Sequence, residues 1–350
     1  MSPRLKVLAA VLAAAAIAAP AAQARHESQL SHRRVTVMTY NLYLGASLNP
    51  IFVAPNPLAL FAAVGGAWNS VQANDFPSRA QAVADEIAAA RPDLVGLQEA
   101  TLYRTDVPPD GPATPAQTVA YDYVQLLVDA LADRGLSYEP VSVFTGTDAE
   151  LPAGVPPLLD VRITDRVVVL ARTTGGPRVH VSNPQSGAFP TALTVTTAAG
   201  TITLPRGWAS VDVKVRGARF RFISTHLEAF SALIRNPQAA QLLSGPVATD
   251  QPVVVVGDFN SGPGLDLGAY GILTGGGLAD AWVGGPPSCC HAEDLHLAGP
   301  PLTKRIDLVL TRGGFETASA DVVGEEPGDK TPSGLWPSDH AGVVAELQLP

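Results

Sequence analysis

A chain of 350 residues with 32 acidic and 23 basic side chains, a formal charge of −9 and 46% hydrophobic content is too apolar for a disordered protein. It is also too acidic for a nonspecific coat on nucleic acid, which needs many cations to displace the counterions of the phosphates. A local groove is not excluded, and no low-complexity linker or repeat divides the chain, which reads as one large domain.

The first segment, MSPRLKVLAAVLAAAAIAAPAAQA, has Arg4 and Lys6, an apolar run from Val7, and the small-residue pattern Ala22-Gln23-Ala24. That is the layout of a secretory signal peptide. The run is shorter than the ~20 residues of a spanning helix, and Pro20 interrupts its end, so it does not read as an anchor. Cleavage after Ala24 is expected, giving a secreted chain of residues 25–350 with no transmembrane segment. The leader carries two bases and no acid, so 32 acids then face 21 bases, a charge of −11.

VTVMTY (35–40) predicts a strand. The stretch 46–76, rich in Phe, Leu, Val and Trp, reads as extra core or as an apolar lip beside a site. SRAQAVADEIAAAR (78–91) predicts a helix capped by Ser78 and stopped by Pro92, followed by a buried strand at DLVGL (93–97). A second helix is predicted over 118–135, with Tyr121, Val124, Leu127, Val128 and Leu131 on one face and Gly135 at its end. Strands then follow at SYEPVSVF, DRVVVLAR, TALTVTT, TITLP, WASVDVKV and ARFRFIST, a helix within 230–243, and strands at VVVVG, RIDLVLT, ASADVV and GVVAELQL. Many strands with few helices imply two packed sheets flanked by helices.

VVVVGDFNSGPG (253–264) poses the functional question, because a fully apolar run ends in a carboxylate and an amide. Asp258 and Asn260 fall on the same side of extended chain, where ligand and catalytic groups of α/β folds gather. Other strands end the same way: Asn41 follows VTVMTY, Glu99 follows DLVGLQ, and His226 follows RFIST. Asp307 lies in KRIDLVL, and Asp339 and His340 precede GVVAEL. The adjacent Cys289 and Cys290, in SCCHAEDLH with His291 and His296, read as a vicinal disulfide or free thiols, or as part of a zinc site that lacks paired ligands elsewhere.

In this order TYNLYLG, LVGLQEA, STHLE, VVGDFN, KRIDLVL and SDHAGV resemble the endonuclease/exonuclease/phosphatase superfamily, and they span residues 35–347. The resemblance implies one domain over 25–350 with the deoxyribonuclease-I-like fold, a four-layer α/β/β/α sandwich of two mixed sheets. It implies a metal-dependent phosphoesterase, with Glu99 as principal ligand of Mg²⁺ (or Mn²⁺) and Asn41 and Asp339 close to the ion. Asp258 would activate or orient the attacking water, Asn260 and His226 would contact the phosphate, and His340 would be held charged by Asp307. Tyr103 and Arg104 are candidates for stacking on or pairing with substrate. Family members that cut at abasic sites tend to carry an acid two places after the first Asn; Tyr43 stands there, which disfavours DNA repair. The implied substrate is a phosphodiester, either nucleic acid or a phospholipid such as sphingomyelin, acted on by a monomer. A small-molecule phosphomonoesterase or a noncatalytic binding module on the same fold are the alternatives.

Overall fold

A computed structural model of the protein describes residues 33–154, 158–175, 179–265, 268–296 and 302–350. The expected leader, 1–24, lies outside the described residues. In chain order come β1 (Arg34–Asn41), α1 (Asn49–Phe52), α2 (Pro57–Ala73), α3 (Phe76–Ala90), β2 (Leu94–Gln98), β3 (Leu102–Asp106), β4 (Thr118–Asp122) and α4 (Tyr123–Asp133). Then follow β5 (Tyr138–Ala153), β6 (Leu159–Arg172), β7 (His180–Ala188), β8 (Leu193–Thr197), β9 (Gly200–Leu204), β10 (Gly207–Val215) and β11 (Ala218–His226). The chain closes with α5 (Ala232–Ser244), β12 (Val253–Asp258), α6 (Gly268–Gly275), β13 (Ala279–Asp280), β14 (Asp307–Arg312), β15 (Glu316–Val323) and β16 (Gly342–Gln348).

One sheet runs β15-β16-β1-β2-β6-β3-β4 with β5 also on β6, the other runs β13-β14-β12-β11-β10-β7, and β8 pairs with β9 alone. Each large sheet is mixed, because β1 lies parallel to β2 and β11 parallel to β12 while the remaining pairs are antiparallel. The Val253–Val256 run shows why the layers form. Val254 and Val256 enter the core between the sheets, with Val37, Val169 and Phe222, whereas Val253 and Val255 face Leu242 of α5 and Leu273 of α6. A strand covered on both faces carries no polar alternation. On the outer face of the other sheet, Val64, Val83 and Leu127 from α2, α3 and α4 cover Met38, Tyr40, Val95 and Leu97. The result is the α/β/β/α sandwich that the resemblance implies.

Gly96 sets the closeness of the two sheets. A Cβ there would collide with Val256 and Ser224. Its absence lets Gln98 Nε2 donate across the interface to Ser224 Oγ at 3.1 Å, while Thr39 Oγ1 donates to Gln98 Oε1 at 3.0 Å.

Three segments differ from expectation. The helix expected to start after a Ser78 cap begins at Phe76, with Asp75 at its N-cap and Ser78 within its first turn, because Phe76 and Pro77 already follow the helical path. Residues 118–122 are strand rather than helix: Leu102 pairs with Asp122 in the sheet, and the helix starts at Tyr123, where the Asp122 carboxylate accepts from Val124 N and Gln125 N. Sheet pairing and the N-cap together override the apolar periodicity. The 46–76 segment folds as α1 and α2, the latter capped by Asn56, whose side chain accepts from Ala59 N.

Arg79 of α3 anchors these elements to the rest. It is fully buried and donates from Nε to Asn74 O at 2.7 Å, from Nη1 to Leu42 O at 2.8 Å and Pro337 O at 2.9 Å, and from Nη2 to Tyr43 O at 3.1 Å. Arg79→Ala strands four buried carbonyls and is expected to cost about 3 kcal/mol or more of folding stability, measured by urea denaturation. A loss below about 1 kcal/mol would show that water replaces the guanidinium.

Candidate active site

The two parallel strand pairs end side by side. Asn41 and Gln98 are partners at the ends of β1 and β2, and His226 and Asp258 at the ends of β11 and β12, with Asp307 opposite Asp258 at the start of β14. Buried backbone brings these groups together from both sheets. Asn41 Nδ2 donates to Asp258 Oδ2 at 3.0 Å, which joins the first sheet to the second. Asn41 Oδ1 is held by Tyr43 N at 3.0 Å, and Asn41 O accepts from Ser338 Oγ at 2.7 Å, drawing the Ser338-Asp339-His340 loop onto β1.

His340 Nδ1 meets Asp307 Oδ2 at 2.8 Å, and its Nε2 faces Asp258 Oδ2 at 3.8 Å. Burial opposes a charge on this imidazole, but Asp307, Asp339 and Asp258 override it and hold the group well above the ordinary histidine value. Asp307 is steadied in turn by Ser288, whose Oγ donates to the same Oδ2 at 2.7 Å. The Cys289–Cys290 disulfide adjoins this pair, and the Cys289 backbone bridges Lys304 and His340.

His226 behaves oppositely. Arg206 Nη1 lies 3.1 Å from its Nδ1. Its Nε2 faces Asp258 Oδ2 at 3.5 Å. Burial, then Arg206 and His340, press its pKa well below the usual value and keep it neutral. Asn260, whose Nδ2 donates to Leu227 O at 3.0 Å, lies within 3.2 Å of the same Nε2. Its own N–H donates to Asp258 Oδ1 at 2.9 Å.

Three carboxylates are short of positive charge. Burial, then Asp307, pushes Asp258 up to about 6. Asp339 also reaches about 6, through burial and Glu99 acting against His340. Burial, then Asp165, raises Glu99, although Leu44 N donates to its Oε2 at 2.7 Å. Oxygen donors in this condition suit a hard divalent cation. Asp258, Asp307 and His340 also lie close enough together to hold an ion, but the hydrogen bond between Asp307 and His340 already engages that pair. Glu99 and Asn260 are at φ 49° and Tyr43 is at φ 54°. Such left-handed backbone away from glycine gathers at functional sites.

Tyr103 and Arg104 do not form an exposed pair. Tyr103 is buried, with its hydroxyl donating to Leu44 O at 2.9 Å. Strand alternation turns Arg104 to the other face, where Nη2 donates to Thr164 Oγ1 at 2.7 Å. Sequence reasoning missed Arg206 and Asp165, which are joined at 3.1 Å beside His226 and Glu99. A lone Arg before a strand gave no signal, and its charge survives burial through Asp165, Glu228, Glu99 and Asp258.

The Endonuclease/Exonuclease/phosphatase family model matches residues 38–340, which takes in every strand-end group above. The chain belongs to this family. Members are generally phosphoester hydrolases and typically use divalent metals. No curated protein matches the chain in sequence. Among solved structures, a humanized TDP2 from D. rerio is 18% identical, with 90% of this chain and 99% of that chain covered and a TM-score of 0.55. An endonuclease/exonuclease/phosphatase from Beutenbergia cavernae is 23% identical, covering 91% of this chain and 72% of its own, at a TM-score of 0.54. A mannosyl-6-phosphatase from Bacteroides thetaiotaomicron is 15% identical, covering 89% and 99%, at a TM-score of 0.54. These likenesses establish the shared fold.

Proposed function

We propose that this family member is a secreted, monomeric phosphodiesterase, formed by residues 25–350 after loss of the leader, that requires Mg²⁺ or Mn²⁺. The observation that carries the reading is the convergence, at adjoining strand ends, of a charged His340–Asp307 pair with the cation-deficient carboxylates Glu99, Asp258 and Asp339. Among the described residues no helix is long and apolar enough to cross a membrane.

Glu99 would hold the metal, with Asn41 and Asp339 beside it; when bound, the ion neutralises charge on the phosphoryl oxygens. Asp258 orients the attacking water and takes its proton, and a carboxylate lifted to about 6 is a stronger base than an ordinary one. Asn260 and neutral His226 meet the phosphate from one side. Imidazolium His340 meets it from the other, where charge grows as the water oxygen bonds to phosphorus and the bond to the leaving alkoxide breaks, the alkoxide taking its proton from solvent.

Purified residues 25–350 are to be assayed on plasmid DNA, RNA, sphingomyelin, bis-p-nitrophenyl phosphate and p-nitrophenyl phosphate, with Mg²⁺, with Mn²⁺ and with EDTA. Metal-dependent cleavage of a diester is the expected result. Full activity in EDTA, or activity on the monoester alone, would overturn the proposal.

Protons and metal compete for the same carboxylates, which gives a second measurement. Because Asp258 and Asp339 titrate near 6 in the metal-free protein, protonation closes the site as pH falls through that value. The rise in melting temperature caused by Mg²⁺ is expected to be large at about pH 8 and to shrink toward zero by about pH 5. A Mg²⁺ effect independent of pH would place the ion elsewhere.

A further inference from the structure

We infer that the substrate is a phosphodiester carrying an alkyl chain, and that this chain enters an apolar pocket walled by the 46–76 segment; the inference rests on the phosphodiesterase reading above. The pocket, of about 80 Å³, lies between α1 and α2 on one side and β3, β5, β6 and β9 on the other, with Phe52, Trp68, Tyr103, Leu151, Ile163 and Ile202 among its walls. Its lining is almost wholly carbon. The Tyr103 hydroxyl is already committed to Leu44 O. A cavity of this kind gives water too few partners and favours hydrocarbon, and it offers nothing to read the edge of a base or the hydroxyls of a sugar.

Position makes it a substrate pocket. Leu44 binds Glu99 through its N–H and Tyr103 through its carbonyl, so one residue links the proposed metal ligand to the pocket wall. Ala46, two residues further along, lines the pocket itself. From the other sheet, the Phe52 ring meets Phe230 edge-on at 5.7 Å, and Phe230 follows His226 by four residues. The inference places the phosphate between Glu99 and His226 and its chain in this slot, on the side where Leu44 joins Glu99 to the pocket wall. The apolar surface continues outward: Phe230 is 51% exposed, Val53 76% and Leu233 86%. A polar cluster for the phosphate beside a carbon-lined slot with an apolar rim is complementary to an amphiphile, and a nucleic acid leaves the slot unused.

The test reads binding without turnover. The full mature chain in EDTA is titrated with monomeric n-alkyl phosphocholines from ethyl to decyl, following tryptophan emission, since Trp68 lines the pocket. Affinity is expected to rise about fourfold per methylene and then level off as the pocket fills. Ala67→Phe, which fills the pocket from α2, should weaken the longer chains at least tenfold. Ala62→Phe, on the exposed side of the same helix, should not. Ala149→Leu, from the opposite wall, repeats the blockade should Ala67→Phe fail to melt cooperatively. Absence of chain-length dependence, binding that survives both filled variants, or cleavage of DNA or RNA in preference to alkyl diesters would overturn the inference. Hydrolysis of bis-p-nitrophenyl phosphate without alkyl binding sinks this inference and leaves the proposed function standing. Alkyl binding with no hydrolysis of any diester supports the pocket and removes the phosphodiesterase reading.

Discussion

His340→Ala is expected to lower turnover on a diester by roughly 10²–10³, the usual consequence of losing one charge-bearing donor that the transition state needs most. The Michaelis constant should change far less, because the contact strengthens as charge builds on the phosphoryl oxygens. Asp307→Asn acts on the same group. It removes the carboxylate 2.8 Å from Nδ1 and the first of the charges that keep the ring protonated. The two losses should therefore overlap, with the double variant scarcely slower than His340→Ala alone. Removing Asp307 also lowers the pH at which the imidazole loses its proton, so activity of the Asp307→Asn protein should fall off earlier on the alkaline side. Normal turnover in a well-folded His340→Ala protein would remove this residue from the mechanism. Additive losses would show that Asp307 acts on something other than the histidine.

Asp258→Asn is expected to cost roughly 10²–10⁴ in turnover, the range associated with loss of a positioned general base. Stability should move the other way. Burial and Asp307 disfavour the charged carboxylate, so its pKa rises from the unfolded value to about 6. A carboxylate shifted upward favours folding below its unfolded pKa, and that advantage is lost as pH rises through about 6. At neutral pH, then, the metal-free protein carries the unfavourable charge, and an amide relieves it. The melting temperature of metal-free Asp258→Asn should equal or exceed that of the parent, while the gain from added Mg²⁺ should be smaller. A variant that is both slow and unstable would make Asp258 a structural residue.

The site was largely legible because its residues sit at strand ends, and strand ends can be read from abrupt changes of composition. Val253–Val256 announces a strand buried on both faces, and Gly-Asp-Phe-Asn announces where it stops; the partnership of Asp258 with Asn41 then follows from two sheets meeting, which no local pattern contains. Arg206 stayed hidden because its importance arises from Asp165 and His226, 41 and 20 residues away in the chain. Helix α2 was within reach: Asn56 caps it, Pro57 opens it, and Leu60, Val64, Trp68 and Val71 recur at helical spacing, yet its composition suggested only an apolar insertion. Residues 118–122 failed for the opposite reason, since an apolar stripe continued backward into chain that β3 captures as a strand. Tyr103 and Arg104 were separated by a strand that the sequence had not revealed.

The place of β1 has a consequence for how the chain can be cut and rejoined. Its neighbours are β2 and β16, and Arg34 pairs with Gln348, so the beginning and end of the sandwich lie side by side within a sheet. During synthesis β1 must wait for a partner more than three hundred positions later, a connection order that slows folding and makes the last strand indispensable. The same adjacency would let a short peptide splice Gln348 to Arg34, with new ends opened at the β8–β9 turn, where Thr197 pairs with Gly200 across a tight bend and Ala199 and Gly200 are exposed. In such a rearranged molecule β16 would precede β1 as an ordinary hairpin, and the slowest pairing of the natural order would become one of the most local.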